Sequence, residues 1–466
     1  MRPLPWTRTW RWPGVWVACG GAALALAFCF ELWRHLAAPG DFWTLWAAAR
    51  ALAAGRDPYR FGALAAVAAL PYGLRPGPFL SPLFVAEAFA PVGALPFSLA
   101  RALWLGVNLA LAVWLLWLLL GLAGVRPTAR AWAAGAALLV AFQPFDLTLW
   151  LGQTDIVVVL ALALAWRWLN GGRPILAGLA AAVAAVDVHL LAGFGLYLLY
   201  RAFAQGDRRP LLGLAAGLGV LGGASLLHAG DVGHWLAVTL PHAQAAAIEP
   251  WDTLSGLQAA AELLGRHAAW AAVAAADAAM LLLAWRAWRG PGAGPERDLA
   301  VAAVLTLATT TFAYNQDYLL LVLAAPFLIR QWRQGVAPWR TGASALCLCL
   351  GFGLAELTAS PVAPRHAGFM LGAPLLALAL ALLLRGGGVS LAPAHRAWAG
   401  IWAGVTLGGY ALLAVGRWEV APELLLLGGL VGFLLLTGVA DGARPQRGAP
   451  GVPGAAAESP RACLGA

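Results

Sequence analysis

Along most of the chain, apolar runs long enough to approach the span of a bilayer alternate with short polar breaks. A helix rises about 1.5 Å per residue and needs roughly 20 apolar residues to cross the hydrocarbon core. Runs of this kind predict helices over Val15 to Leu36, Pro174 to Tyr200, Pro210 to Leu227, His267 to Trp285, Leu299 to Ala313, Tyr318 to Ile329, Ser344 to Thr358, Gly368 to Leu384, Ala397 to Val415 and Pro422 to Val439. Two regions are interrupted. Phe79 to Pro96 carries Pro82, Pro91 and Pro96, and Ala131 to Trp168 is broken at Gln143-Pro144 and at Gly152-Gln153-Thr154-Asp155. Reading both as pairs of spans gives about fourteen helices; a re-entrant first region and a single broken span give about twelve. The expected fold is therefore an all-α polytopic bundle. Residues 1–440 form one transmembrane domain and the Pro-, Gly- and Ala-rich segment 441–466 a disordered tail.

The first polar interruption is Pro39-Gly40-Asp41-Phe42-Trp43-Thr44-Leu45-Trp46. It sets a carboxylate at the membrane surface, at the start of a short helix from Phe42 to Ala54. Phe42, Leu45, Trp46, Ala49 and Leu52 fall on one stripe of that helix. Too short to cross, it is expected to lie in the interface, anchored by Trp43 and Trp46. Gly55-Arg56-Asp57-Pro58-Tyr59-Arg60 then closes it with a charged turn.

Composition agrees with the pattern: 61% of the residues are hydrophobic and only 11% charged. The net charge of +9 comes entirely from arginine on the basic side, and the arginines sit at the ends of apolar runs, so no nucleic-acid partner is implied. From Arg201 onward, one set of alternate loops together with the C-terminal tail holds fourteen arginines, against three (Arg266, Arg365 and Arg417) in the other set. The rich set is cytoplasmic by the usual bias, which puts both termini in the cytoplasm of a multi-pass cell-membrane protein and Asp41 outside. The five cysteines fall in apolar spans and the tail and imply no disulfide framework. Cys463-Leu464-Gly465-Ala466 is a poor prenylation box, and the N-terminal arginines introduce an uncleaved first helix.

Arg50, Arg56, Arg60 and Arg75 then lie on the outer side, against the bias. A loop of this length tolerates some outer charge, and guanidiniums are equally suited to a phosphate. Other candidates carry the same duality. Asp41 is placed either to cap its helix or to act as a base. Asp57 before Pro58 suits a turn, and Gln153, Asp155 and Asp317 suit helix starts or sugar hydroxyls. Asp187 falls near the middle of the run from Pro174 to Tyr200, where an ionised group must be paired or wet. On a continuous helix His189 lies about 200° around from it, so no local pair is expected. His228, Asp231 and His234 recur at intervals of three, but Gly230 and Gly233 between them argue for a loop. With no Asp-x-Asp pair and no Gly-rich nucleotide loop in the chain, no metal and no cofactor is expected.

The segment from Asp41 to Tyr59, D-F-W-T-L-W-A-A-A-R-A-L-A-A-G-R-D-P-Y, resembles the first-loop signature of glycosyltransferase family 87. The proline-broken Phe79 to Pro96, Gly152-Gln153-Thr154-Asp155, Gly171-Gly172-Arg173-Pro174 and Tyr314-Asn315-Gln316-Asp317-Tyr318 follow in the family's order, over roughly residues 10–335. Residues 340–440 would then be additional helices. The resemblance implies the glycosyltransferase C architecture, a polyprenyl-phosphate donor of a hexose, usually mannose, and Asp41 as catalytic base. Arg56, Arg60 and Arg75 are then candidates for the donor phosphate. Asp57, Tyr59, Gln153, Asp155, Asp187, His189 and Asp317 are candidates for substrate, and the acceptor is a lipid or glycan. Two departures stand out: Asp187-Val188-His189 replaces a Lys-Pro pair, and Leu80-Ser81-Pro82 replaces Tyr-Pro-Pro. The missing lysine admits a non-catalytic relative, and the buried Asp187 among intramembrane breaks admits a transporter or flippase for a lipid-linked or small polar substrate.

Overall fold

The computed structural model describes residues 41–60, 62–64, 78–241, 266–289, 295–310 and 315–333, and among them it contains helices and no strand. The expected helices at Val15 to Leu36 and from Ser344 onward, and Arg75, lie outside these residues. The elements in chain order are α1 (Phe42–Ala53), α2 (Leu83–Ala88), α3 (Ala90–Gly93), α4 (Phe97–Leu122), α5 (Ala129–Ala141), α6 (Gln143–Leu151), α7 (Asp155–Asn170) and α8 (Pro174–Val183). After a 3-10 segment, Ala184–Leu191, come α9 (Ala192–Ala204), α10 (Arg209–Ser225) and α11 (Ala229–His234), the last flanked by a 3-10 turn and a π turn. The described chain ends with α12 (Arg266–Arg289), α13 (Pro295–Thr309), a second 3-10 segment (Asn315–Ala324) and α14 (Ala325–Arg333).

Helix α4, at 26 residues, is long and apolar enough to cross a membrane. Leu103, Val107, Val113 and Trp114 on α4, Leu179 on α8, and Leu212 and Val220 on α10 are exposed, forming an apolar exterior that suits lipid rather than water. This is a membrane protein.

Two expectations about the helices are overturned. The stretch Pro174–Ala204 passes as one span by length and composition, yet it doubles back. Asp187 has φ −134° and ψ 87°, outside helical values, and breaks the run. Trp166, near the C-terminal end of α7, packs on Phe194 and Tyr197 at ring separations of 6.3 Å and 5.2 Å. Only three residues separate α7 from α8, so α8 starts beside that same end. Helix α9 must therefore return toward it, leaving residues 184–191 as the bend at the far end. The second case is α1. Trp43 and Trp46 do not anchor it in lipid; both are buried, with their rings 4.8 Å and 5.4 Å from that of Phe97. Burial reaches Ala47, Ala48, Ala49 and Ala51 as well, because α2, α3 and the start of α4 wrap the helix. Phe79 to Pro96 accordingly holds two short capping helices, neither long enough to span.

The bundle is held by close helix approach at glycine. Helices α8 and α10 run parallel, pairing Gly178 with Leu214 and Gly217 with Ala182. A Cβ on Gly178 would overlap the Pro210 carbonyl oxygen and the Leu214 amide, so the two backbones touch there with no side chain between them. The turn between α6 and α7 is just as tight. Gly152 has φ +73°, which glycine adopts without cost, and a Cβ there would lie 2.6 Å from Cβ of Phe42 at the start of α1.

Gly178→Ala on α8 should lower stability by about 1–3 kcal/mol, whereas Gly219→Ala on the partner helix α10, which meets nothing within 4 Å, should be neutral or stabilising; thermal melting of the detergent-purified protein measures both. By the same readout, Gly152→Ala should lower the melting temperature more than Gly172→Ala. Gly172 shares the positive φ, at +70°, but faces open space, so the difference isolates the contact with Phe42.

Candidate active site

Several chain segments meet at one end of the bundle. Asp41 precedes α1 and makes no capping bond with its side chain; its Oδ2 instead accepts from Gln153 Nε2 at 2.7 Å, across 112 positions of sequence. The turn that carries Gln153 is held from behind by α4. Trp104 Nε1 donates to the Gly152 carbonyl at 2.8 Å, and Arg101 Nη2 donates to the Trp150 carbonyl at 2.8 Å. The Arg101 guanidinium also lies within electrostatic reach of Asp41. Neither Arg101 nor Trp104 stands out in the sequence, because an arginine near a helix start reads as a topology signal and a tryptophan as core.

Two residues beyond Gln153, the chain enters a buried acidic cluster. Carboxylate oxygens of Asp155, Asp187 and Asp317 lie within 4.8 Å of one another. His189 joins them: its Nδ1 is 3.0 Å from Asp187 Oδ1 and its Nε2 3.0 Å from Asp317 Oδ2. The absence of a local Asp187 and His189 pair, expected for a continuous helix, is thus corrected by the break at Asp187, which swings both side chains to one side. The group offers oxygens able to hold a metal ion even though no Asp-x-Asp pair occurs, since each aspartate comes from a different segment.

Asp57, Tyr59, Arg56 and Arg60 do not join this end of α1. The twelve residues of α1 put about 18 Å of helix between Asp41 and the turn that follows it. There, Asp57 Oδ1 accepts from the Tyr59 amide at 2.9 Å, the turn-forming role expected of an aspartate before proline. Asp57 Oδ2 pairs with Arg60 Nε at 3.3 Å and with His234 Nδ1 at 2.6 Å. Tyr59 donates its hydroxyl to the Ser81 carbonyl, and burial, followed by the charge of Asp57, raises its phenol far above the usual range. The glycines at 230 and 233 do not make a loop: α11 runs through them. His234 at its end pairs with Asp57, and His228 just before it with Glu87 at 3.4 Å. Burial, with Asp57 next, raises Asp231 above the ordinary carboxylate range against the pull of both histidines and Arg60.

The opposite end of the bundle has the contrary character. A cavity of about 690 Å³ there is lined by Arg167, Arg173, Arg330, Glu296 and Trp168. Arg330 Nη1 pairs with Glu296 at 2.8 Å, and Arg167 stacks over the Trp117 ring. The end with Asp41 differs. It presents an exposed carboxylate oriented by an amide, an adjacent guanidinium and a buried acidic pocket one turn of chain away.

Residues 79–314, just over half of the chain, match the family model of glycosyltransferase family 87. No curated protein and no solved structure matches the chain. The matched segment contains Gln153, Asp155, Asp187 and His189 and reaches to within three residues of Asp317. With an all-helical membrane bundle and a carboxylate-bearing end in agreement, the chain belongs to glycosyltransferase family 87 and is a membrane glycosyltransferase.

Proposed function

We propose that the protein transfers a hexose, mannose by the family resemblance, from a polyprenyl-phosphate donor to a hydroxyl of a lipid or glycan acceptor on the outer face of the cell membrane, with Asp41 as general base. The observation that carries this reading is the hydrogen bond between Gln153 and Asp41. It joins the first-loop signature to the Gly-Gln-Thr-Asp element and aims the carboxylate from a fixed side. The acceptor oxygen attacks the anomeric carbon and forms the new glycosidic bond. The bond from that carbon to the phosphate oxygen breaks, with its electron pair leaving on the phosphate, and the acceptor proton passes to Asp41. One base suffices for this inversion, because a phosphate leaving group needs no proton at neutral pH.

The outer orientation rests on charge. Arg167, Arg173 and Arg330 gather around the cavity at the end opposite Asp41, as expected of a cytoplasmic face. Among the described arginines, Arg101 has a better position than Arg56 or Arg60 to act beside Asp41, since the length of α1 separates those two from it. Their role falls instead to the lipid surface or to a more distant part of the donor. Asp155, Asp187, His189 and Asp317 form the inner wall of the site, where sugar hydroxyls or a counter-ion find oxygen ligands. Family membership favours transfer over transport.

Asp41→Asn keeps the shape of the side chain and the partner Gln153 but cannot take a proton at neutral pH. It should leave the melting temperature nearly unchanged and slow transfer by roughly 10²- to 10⁴-fold. Asp57→Asn, whose carboxylate serves a turn, should cost far less. Near wild-type transfer by well-folded Asp41→Asn would remove the base. Purified protein should also use a polyprenyl-phosphate hexose and ignore a nucleotide sugar. Turnover of the nucleotide sugar alone would refute the donor, and no turnover of either would favour a non-catalytic relative.

A further inference from the structure

We propose that Asp155, Asp187 and Asp317 bind a divalent cation of the magnesium or manganese type. The proposal rests on the reading of this end of the bundle as the reaction site and adds a ligand to it. Oxygens bound at about 2.0–2.4 Å to one ion lie roughly 3–4.8 Å apart, and the three carboxylate oxygens lie within 4.8 Å of one another. All three donors are hard oxygens, which select magnesium, manganese or calcium over softer metals.

A second observation comes from Asp155 itself. It is 1% exposed, and its Oδ1 has no hydrogen-bond partner among the described residues. An orphaned carboxylate oxygen in a buried site is costly, and a cation bound among the three aspartates would satisfy it. Charge points the same way. Three carboxylates share one imidazole in a largely buried pocket, and crowding acidic groups away from water is strongly unfavourable. His189, with a carboxylate on each ring nitrogen, has no nitrogen left for the ion. It acts as the outer partner that fixes Asp187 and Asp317 in the orientation a cation requires.

The cation lies beside the Asp41 and Gln153 pair, because Gln153 and Asp155 belong to one turn. A divalent charge at that position would face the diphosphate-free, singly phosphorylated donor more directly than any guanidinium beyond the far end of α1.

Binding is read by electron paramagnetic resonance as loss of the free manganese signal on titration into chelator-stripped, detergent-purified protein. Wild type should bind one Mn²⁺ per chain, and excess Mg²⁺ should displace it. Asp155→Asn and Asp317→Asn should weaken binding at least about 10-fold, and His189→Gln by about 10- to 100-fold. Where Asp155→Asn does not fold, Asp187→Asn, at 27% side-chain exposure the most accessible of the three, carries the same test. Asp41→Asn should bind Mn²⁺ as wild type does while losing transfer. No Mn²⁺ binding by wild type, or binding undiminished in the aspartate variants, overturns the cation site and leaves the transfer reading standing. Normal Mn²⁺ binding with undiminished transfer by Asp41→Asn would keep the site and overturn the base instead.

Discussion

The imidazole of His189, held between carboxylates of Asp187 and Asp317, is the contact on which the architecture turns. Asp317 stands 128 residues further along the chain, at the start of the second 3-10 segment, so this one side chain ties the bend after α8 to the return from α13. The bend exists because residue 187 leaves helical geometry. That departure lets α9 run back along α13, where the Gly193 amide donates to Thr306 Oγ1 at 2.9 Å and the Tyr197 hydroxyl to Asp298 Oδ2 at 3.3 Å. Straightening residues 174–204 into one helix would pull Asp187 and His189 out of the pocket and away from Asp317.

The bend also explains why so much polarity is tolerated inside an apolar bundle. A backbone that stops being helical within a membrane protein must find other partners for its amides, and it does so only where it is covered by protein or lines a polar site. Here the 3-10 segment Ala184–Leu191 sits against α7, α8, α9 and α13, with Ala184, Ala185 and Leu190 buried. The apolar side of the segment packs as core while Asp187 and His189 take the polar side.

What the sequence makes legible follows from what each signal depends on. Helix starts and stops inside the bundle came close: Arg209–Ser225 against an expected Pro210 to Leu227, and Arg266–Arg289 against His267 to Trp285. These rest on local hydropathy and on arginine, and tertiary contacts do not alter them. The bend at Asp187 was not legible, because no proline or glycine marks it and the run around it is uniformly apolar. The burial of α1 was missed for a related reason. Trp43 and Trp46 read as interfacial anchors, and the surface that covers them, Phe97 together with α2 and α3, comes from a separate segment later in the chain. The acidic cluster was named residue by residue in the sequence but not as a cluster. Metal-ligand spacing is a local pattern, whereas Asp155, Asp187 and Asp317 meet only after three separate segments fold together.

Among the described residues, the two ends of the bundle differ in how their charges are balanced, and that difference bears on the proposed reaction. At the arginine end, Glu296 is answered by Arg330, and Asp207 by both Arg201 and Arg209, so acids there are balanced by cations. At the other end the carboxylates of Asp155, Asp187 and Asp317 gather around His189 and outnumber it. A phosphate-bearing donor approaching such a pocket meets repulsion unless positive charge accompanies it. Arg101 supplies part of that charge beside Asp41; on the proposed reading a cation drawn in by the aspartates would add to it, and the excess of carboxylates that looks unfavourable for an anionic substrate is what would recruit one.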